Sequence, residues 1–300
     1  MRLLTRPDFD GLACAVVLKD IGVVDSWLFV QPEDLQGGAA AVTRNDLLAN
    51  VPYDAGCGMW FDHHTGEPGN GAGADAMGLT LRLDSAARVV WQYYRGAYDL
   101  AKYDPMLAAV DKINSAKLTA REILNPEGWM LLGFIIDPCT GTDRFQGYRI
   151  SGRQLIETLV DACAKLSIND ILALPDVKER VDLYNRHRGP FAEMLKERSS
   201  AHQNVLVTDL RGAGTIYAGN RFIVYSLFPE QNVSIWAEDS GEGQSCAIGV
   251  GYSVINRTNQ NDVGAILREY GGGGHRQVGA CTVPAEDADR VVAELCMKLQ

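Results

Sequence analysis

The chain has no apolar run approaching the roughly 18 residues that a membrane-spanning helix needs. Its start, MRLLTRPDFDG, carries no long apolar segment leading to a cleavage site. No membrane partner is expected, and we expect a soluble cytoplasmic protein. Close cysteine pairs are missing too. The seven cysteines, Cys14, Cys57, Cys139, Cys163, Cys246, Cys281 and Cys296, are odd in number and scattered. They offer neither a disulfide framework nor metal-ligand spacing, and we read them as reduced packing residues. There are no repeats and no low-complexity tracts. Positive charge is scarce: 28 Lys and Arg against 38 Asp and Glu give a formal net charge of -10. That argues against a general nucleic-acid coat protein, which holds phosphates with clustered Lys and Arg. It leaves open a small phosphorylated substrate or a short oligonucleotide, because metal ions and Arg can reverse the field inside one cleft of an acidic protein.

What is present points to two domains. At 300 residues with 46% hydrophobic composition, the chain is long enough for two cores. Over the first ninety or so residues short apolar runs alternate with helical stretches, the pattern of a parallel sheet flanked by helices. Leu3 and Leu4 lead into the turn Arg6-Pro7-Asp8-Phe9-Asp10-Gly11, after which Leu12, Ala15, Val16 and Leu18 recur at helical spacing. Further strands are expected near Val23 to Val30, Leu47 to Val51 and Met59 to Phe61, the last running into Asp62-His63-His64. Helices follow at Ser85 to Tyr94, Pro105 to Ile113, Trp129 to Ile136, Gly152 to Lys165 and Pro175 to Ser199, the last broken near Gly189-Pro190. From Val205 the texture turns β-rich, with strands expected at 204–208, 221–226, 233–237, 246–254 and 280–283, and helices at Val263 to Tyr270 and Ala285 to Leu299. The fold class is α/β: a parallel-sheet domain over residues 1–180, a connecting helix over 181–204, and a smaller α/β domain over 205–300, with a cleft between them.

Three motifs carry chemistry. Asp8-Phe9-Asp10-Gly11 places two carboxylates on a tight turn, where both can face one hard cation such as Mn2+ or Mg2+. The same turn is also an ordinary strand-to-helix connection, with Asp10 as cap and Gly11 relieving the bend. Asp62-His63-His64 ends an apolar strand with a carboxylate and two imidazoles, the groups most used for metal binding and proton transfer. Ligands of open parallel sheets bind beyond the strand C-termini, so the two clusters can converge. The third motif is Gly271-Gly272-Gly273-Gly274-His275-Arg276, whose backbone can approach a phosphate closely; as a glycine run it is also compatible with a linker.

Taken in this order, the three motifs resemble the DHH phosphoesterase family with its DHH-associated C-terminal domain, and the resemblance covers nearly the whole chain. The family includes exopolyphosphatases, pyrophosphatases, RecJ-related exonucleases, oligoribonucleases and cyclic-dinucleotide phosphodiesterases. The resemblance implies Mn2+ (or Mg2+), one or two ions, bound by Asp8, Asp10, His63 and a later Asp. Asp137, in Leu132-Gly133-Phe134-Ile135-Ile136-Asp137, fits that last position, with Asp111 in reserve. It also implies that His64 sits nearer the substrate phosphate, that Asp62 orients a histidine, and that Arg257, Gly272, Gly273, Gly274, His275 and Arg276 hold the substrate. Arg257 reads equally as a surface charge, and Ser85 reads first as a helix N-cap. A homodimer is compatible with all of this.

Two positions depart from the family pattern. Members commonly carry a His shortly before the first Asp, where this chain has Leu4 and Arg6. The Asp expected to bridge two ions falls at Asn50, in Leu47-Leu48-Ala49-Asn50-Val51-Pro52. Each lost charge pair removes about 4 kcal/mol at about 4 Å and an effective dielectric near 20. We therefore expect a single-ion or weakly occupied site, with Arg6 supplying a fixed positive charge in place of the missing ion.

Overall fold

The computed structural model describes residues 1–38, 40–64 and 77–300. The chain divides into two compact units: residues 1–117 with 126–183, and residues 118–125 with 184–300.

The first unit is a parallel sheet covered by helices. Its elements are β1 (Arg2–Thr5), α1 (Phe9–Asp20), β2 (Ser26–Phe29), α2 (Pro32–Gln36), β3 (Asp46–Ala49), β4 (Met59–Asp62), β5 (Met77–Thr80), α3 (Ala86–Tyr94) and α4 (Asp104–Asn114). The sheet runs in the order β2-β1-β3-β4-β5, parallel throughout. Side chains alternate across it, as the strand period of two requires. Leu3, Leu47, Ala49, Met59 and Phe61 join the core that α1, α3 and α4 build, while Leu4, Leu48 and Trp60 pack on the other face with Val30 and Leu35. In the first of these two cores, α1 buries Phe9 through Leu18, which marks a helix enclosed on all sides. Short α5 (Ala120–Leu124) belongs to the second unit, and α6 (Gly128–Ile136), α7 (Gly152–Lys165) and α8 (Ile168–Ala173) return to the first.

The long helix α9 (Pro175–Arg198) runs through Pro190 without a break, which corrects the interruption expected there. Proline deletes one backbone bond and crowds the preceding turn, but Gly189 and Pro190 lie on the exposed side, where water can serve the freed carbonyl. Leu183, Tyr184, Phe191, Met194 and Leu195 are buried on both sides of it.

Early in α9, Arg180 is only 1% exposed and stacks 4.0 Å over the Tyr148 ring. It donates to the carbonyl oxygens of Ile150 at 2.8 Å and Asp176 at 3.1 Å. Truncating it strands those part-buried acceptors and leaves the half-buried Glu179 carboxylate without its partner. Arg180→Ala is therefore expected to lower the unfolding free energy by about 3 kcal/mol. Denaturant titration checks this, and a loss under about 1 kcal/mol would contradict it.

The second unit holds β6 (Ser199–His202), β7 (Val205–Asp209), α10 (Ile223–Leu227), β8 (Val233–Ser240), β9 (Ser245–Tyr252), α11 (Val263–Arg268), β10 (Gly273–His275), β11 (Val278–Pro284) and α12 (Ala288–Leu299). Its mixed sheet has the order β10-β11-β9-β8-β7-β6, with β7 and β8 parallel and the other pairs antiparallel. The strand expected at Arg221 to Ser226 is the helix α10. Its β-branched and aromatic residues are buried, and Asn220 starts the turn by accepting from the Phe222 N–H at 3.0 Å; tertiary context here overrides strand propensity. The glycine run is also not a simple loop: Gly273 to His275 form β10, paired with β11. A Cβ on Gly272 would lie 2.2 Å from the Ala280 oxygen, and Gly274 has φ +142, so glycine is required by the tight hairpin itself. Among the described residues, no helix is long and apolar enough to cross a membrane.

Candidate metal centre

Asp8 sits between β1 and α1 with extended backbone and caps the helix, its Oδ1 accepting from the Gly11 N–H at 2.8 Å. Asp8, not Asp10, is therefore the cap. Gly11 is dictated by space, since a Cβ there would lie 2.0 Å from the Arg6 carbonyl oxygen. This frees Asp10, in the first turn, to reach across to the start of α3. Its carboxylate accepts from the Ala87 N–H at 2.7 Å and the Ala86 N–H at 2.9 Å, at the positive end of a helix that Ser85 caps as expected.

Burial, and then the Asp8 charge, push the Asp10 carboxyl up to about 7. Burial raises Asp8 as well, and Asp137 adds to the rise, while Arg6, Gly11 and Asn50 oppose it. Arg6 Nε stands 3.5 Å from Asp8 Oδ2. Asn50 follows β3 in the left-handed conformation, φ 58, which asparagine tolerates better than most residues. Only 5% exposed, it donates its amide to both Asp8 oxygens, at 2.9 and 3.2 Å. Asn50 thus stands where the bridging carboxylate was expected, beside Asp8.

At the end of β4, Asp62 is 2% exposed. Its Oδ1 accepts from the His63 backbone N–H at 2.8 Å and lies 3.0 Å from His64 Nδ1. The rings of His63 and His64 are 3.7 Å apart, and one donor atom each of Asp62, His63 and His64 falls within 4.8 Å of the others. The two acidic motifs do converge: His63 Nδ1 lies 3.9 Å from Asp10 Oδ2. Asp137 ends α6, where its Oδ1 accepts from the Cys139 N–H at 2.8 Å. Asp111 is engaged differently. Ser85 Oγ donates to it at 2.6 Å and Arg88 holds its other oxygen at 2.8 Å, although its charge also raises Asp10.

The remaining predicted residues lie in the second unit. Arg257 Nε donates to the Val254 oxygen at 3.1 Å, and Arg276 donates to the Gln260 oxygen at 3.1 Å. Gly273, Gly274 and His275 are β10, with Gly272 just before it and Arg276 just after.

One site residue was invisible in the sequence. Asn114, the last residue of α4, donates its amide to Asp10 Oδ2 at 3.2 Å and to the Asp84 oxygen at 3.0 Å, and the same nitrogen lies 3.1 Å from His63 Nε2. No motif surrounds it, and a lone Asn at a helix end reads only as a terminus.

The donor set suits a hard divalent ion. Carboxylate oxygens dominate and one imidazole joins them; burial first, and neighbouring carboxylates after it, raise Asp8 and Asp10, while Arg6 opposes the rise at Asp8. Among the described residues, the donor atoms that lie within 4.8 Å of one another are those of Asp62, His63 and His64, with Asp10 beside His63 and Asn50 beside Asp8.

A pGpG-specific phosphodiesterase, PggH, from Vibrio cholerae is similar over nearly the full length: 40% identity, 99% of this chain and 98% of that one covered, and a TM-score of 0.84. RecJ from Thermus thermophilus, solved with Mn2+, matches at 15% identity over 99% of this chain and 51% of its own, with a TM-score of 0.55. Its Mg2+ complex matches at 14% identity, over 99% of this chain and 48% of its own, with a TM-score of 0.50. These two are likenesses of fold. No protein-family model matches the chain, and no curated protein sequence does.

Proposed function

Since the chain belongs to the DHH phosphoesterase family, we propose that it is a divalent-metal-dependent phosphodiesterase whose substrate is a short guanine dinucleotide of the pGpG type. The observation that carries this reading is the 40% identity across 99% of the chain to a pGpG-specific phosphodiesterase. The 3.9 Å approach of His63 to Asp10 supports it from within the site.

In this reading Asp8, Asp10, His63 and Asp137 hold Mn2+ or Mg2+. When bound, such an ion would supply a nucleophile from water at neutral pH and would polarise the phosphoryl oxygen. Asp111, with both oxygens engaged by Ser85 and Arg88, sets the field around Asp10 instead of ligating. Asp62 orients the His64 ring through Nδ1 at 3.0 Å, and His64 serves the substrate as an acid toward the leaving oxygen or a stabiliser of phosphoryl charge. Arg6 stays beside Asp8 as a fixed positive charge.

A second reading is favoured by one observation. The Asn50 amide occupies both Asp8 oxygens, which suits a protein that binds the phosphorylated ligand without turnover. Metal-stripped protein, resupplied with Mn2+ and offered pGpG, longer RNA, polyphosphate and pyrophosphate, separates the two. The proposal expects pGpG to be cleaved to two GMP, at least about 10-fold faster in kcat/KM than any other substrate offered, and EDTA to abolish the reaction. Tight pGpG binding without turnover establishes the second reading, and turnover of polyphosphate alone overturns the choice of substrate.

A further inference from the structure

The Asn114 amide has two hydrogens and three neighbours. Asp10 Oδ2 and the Asp84 carbonyl oxygen are pure acceptors, at 3.2 and 3.0 Å from Nδ2. Turning the amide over would set its oxygen against both of them, so these two acceptors lock the nitrogen inward. His63 Nε2 lies 3.1 Å from that same nitrogen. A proton on Nε2 would point at N–H hydrogens, whereas a lone pair there meets them favourably. On the other side of the ring, Nδ1 faces carboxylates, Asp62 Oδ1 at 3.6 Å and Asp10 Oδ2 at 3.9 Å, which favour a proton on that nitrogen.

We propose that Asn114 is a positioning residue of the metal centre, which locks His63 in the tautomer protonated on Nδ1 and so keeps the Nε2 lone pair ready for the ion. The inference rests on the reading of His63 as a metal ligand. Neutral imidazole binds a metal through one nitrogen only, and the partner of the other nitrogen decides which one. At most ligating histidines that partner accepts a hydrogen bond. Here the choice is enforced from the metal side as well, by an amide that donates to the ligating nitrogen until the ion displaces it. Asn114 is placed for this by α4, whose buried face of Met106, Leu107 and Val110 anchors the helix in the first unit's core.

The test uses the full chain, metal-free and at about pH 8, above the ordinary histidine value near 6.5. Long-range proton–nitrogen spectra report which ring nitrogen carries hydrogen in each of the five histidines, with His63 assigned by its loss in His63→Gln. In the parent, His63 should carry its proton on Nδ1. Asn114→Ala should move the signals toward an average of the two tautomers, and Asn114→Asp, which puts an acceptor opposite Nε2, should reverse the assignment. Mn2+ titration by calorimetry should then show Asn114→Ala binding about 2-fold more weakly, as the fraction of His63 left in the binding tautomer falls toward one half, with unchanged stoichiometry. Thermal melts in EDTA confirm that both variants fold. Unchanged tautomer or unchanged Mn2+ affinity in Asn114→Ala overturns this proposal alone. If the parent itself takes up no Mn2+, the metal reading of the site falls first and this inference falls with it.

Discussion

Asp10→Asn is expected to lower Mn2+-dependent turnover by at least about 1,000-fold, some 4 kcal/mol of transition-state stabilisation, and at the same time to stabilise the metal-free protein. Both effects have one origin. Asp10 is 3% exposed and beside Asp8, and these push its carboxyl from 3.8 to about 7. A carboxyl whose folded value is raised favours folding while it is protonated. The metal-free protein should therefore lose stability as pH rises from about 4, where the unfolded chain ionises, through about 7. An uncharged isostere removes that loss and flattens the profile, a gain of about 1–3 kcal/mol near pH 7.5 once the amide's poorer fit against the Ala86 and Ala87 N–H groups is allowed for. Adding Mn2+ should raise the parent's melting temperature and leave that of Asp10→Asn nearly unchanged. If the variant retained turnover, or melted below the parent in EDTA, Asp10 would not be a desolvated ligand awaiting a cation.

Asn50→Asp is the second large effect. The Asn50 amide sits 2.9 and 3.2 Å from the two Asp8 oxygens, so the substitution turns a hydrogen-bond donor into a like charge at contact distance. Without metal the variant should be less stable than the parent by about 1–3 kcal/mol. With Mn2+ the sign reverses, since the new carboxylate adds about 4 kcal/mol of attraction for an ion at about 4 Å and an effective dielectric near 20. Plasma emission analysis of dialysed protein should rise from one Mn per chain toward two, with a gain in kcat of about 10-fold or more. Unchanged stoichiometry would show that residue 50 is not the position where a second ion is bridged.

Much of this site could be read from residue types alone, because its main parts are local. Asp8 and Asp10 share one turn and Asp62, His63 and His64 are consecutive, so each cluster of candidate groups is contiguous in the chain. The parallel sheet was legible from apolar runs at Leu3-Leu4, Leu47-Leu48 and Met59 to Phe61. Their convergence followed from the rule that strand C-termini face the ligand, and the 3.9 Å between His63 and Asp10 agrees with it. Parts that depend on distant residues were not legible. Asn114 is brought in by α4 with no pattern to announce it. Asp8 took the capping role assigned to Asp10, because Gly11 packs against the Arg6 carbonyl and turns Asp10 toward α3. Arg221 to Ser226 had strand composition but lies buried as a helix, and the glycine run looked like a loop because glycine is also what a tight hairpin strand needs.

The most direct test is anomalous diffraction at the manganese edge from crystals grown with Mn2+. The account predicts one strong peak within about 2.0–2.3 Å of an Asp8 oxygen, an Asp10 oxygen and a nitrogen of His63, with an Asp137 oxygen in the same shell. A peak held only by Asp62, His63 and His64, or no peak in protein that still hydrolyses pGpG, would contradict it.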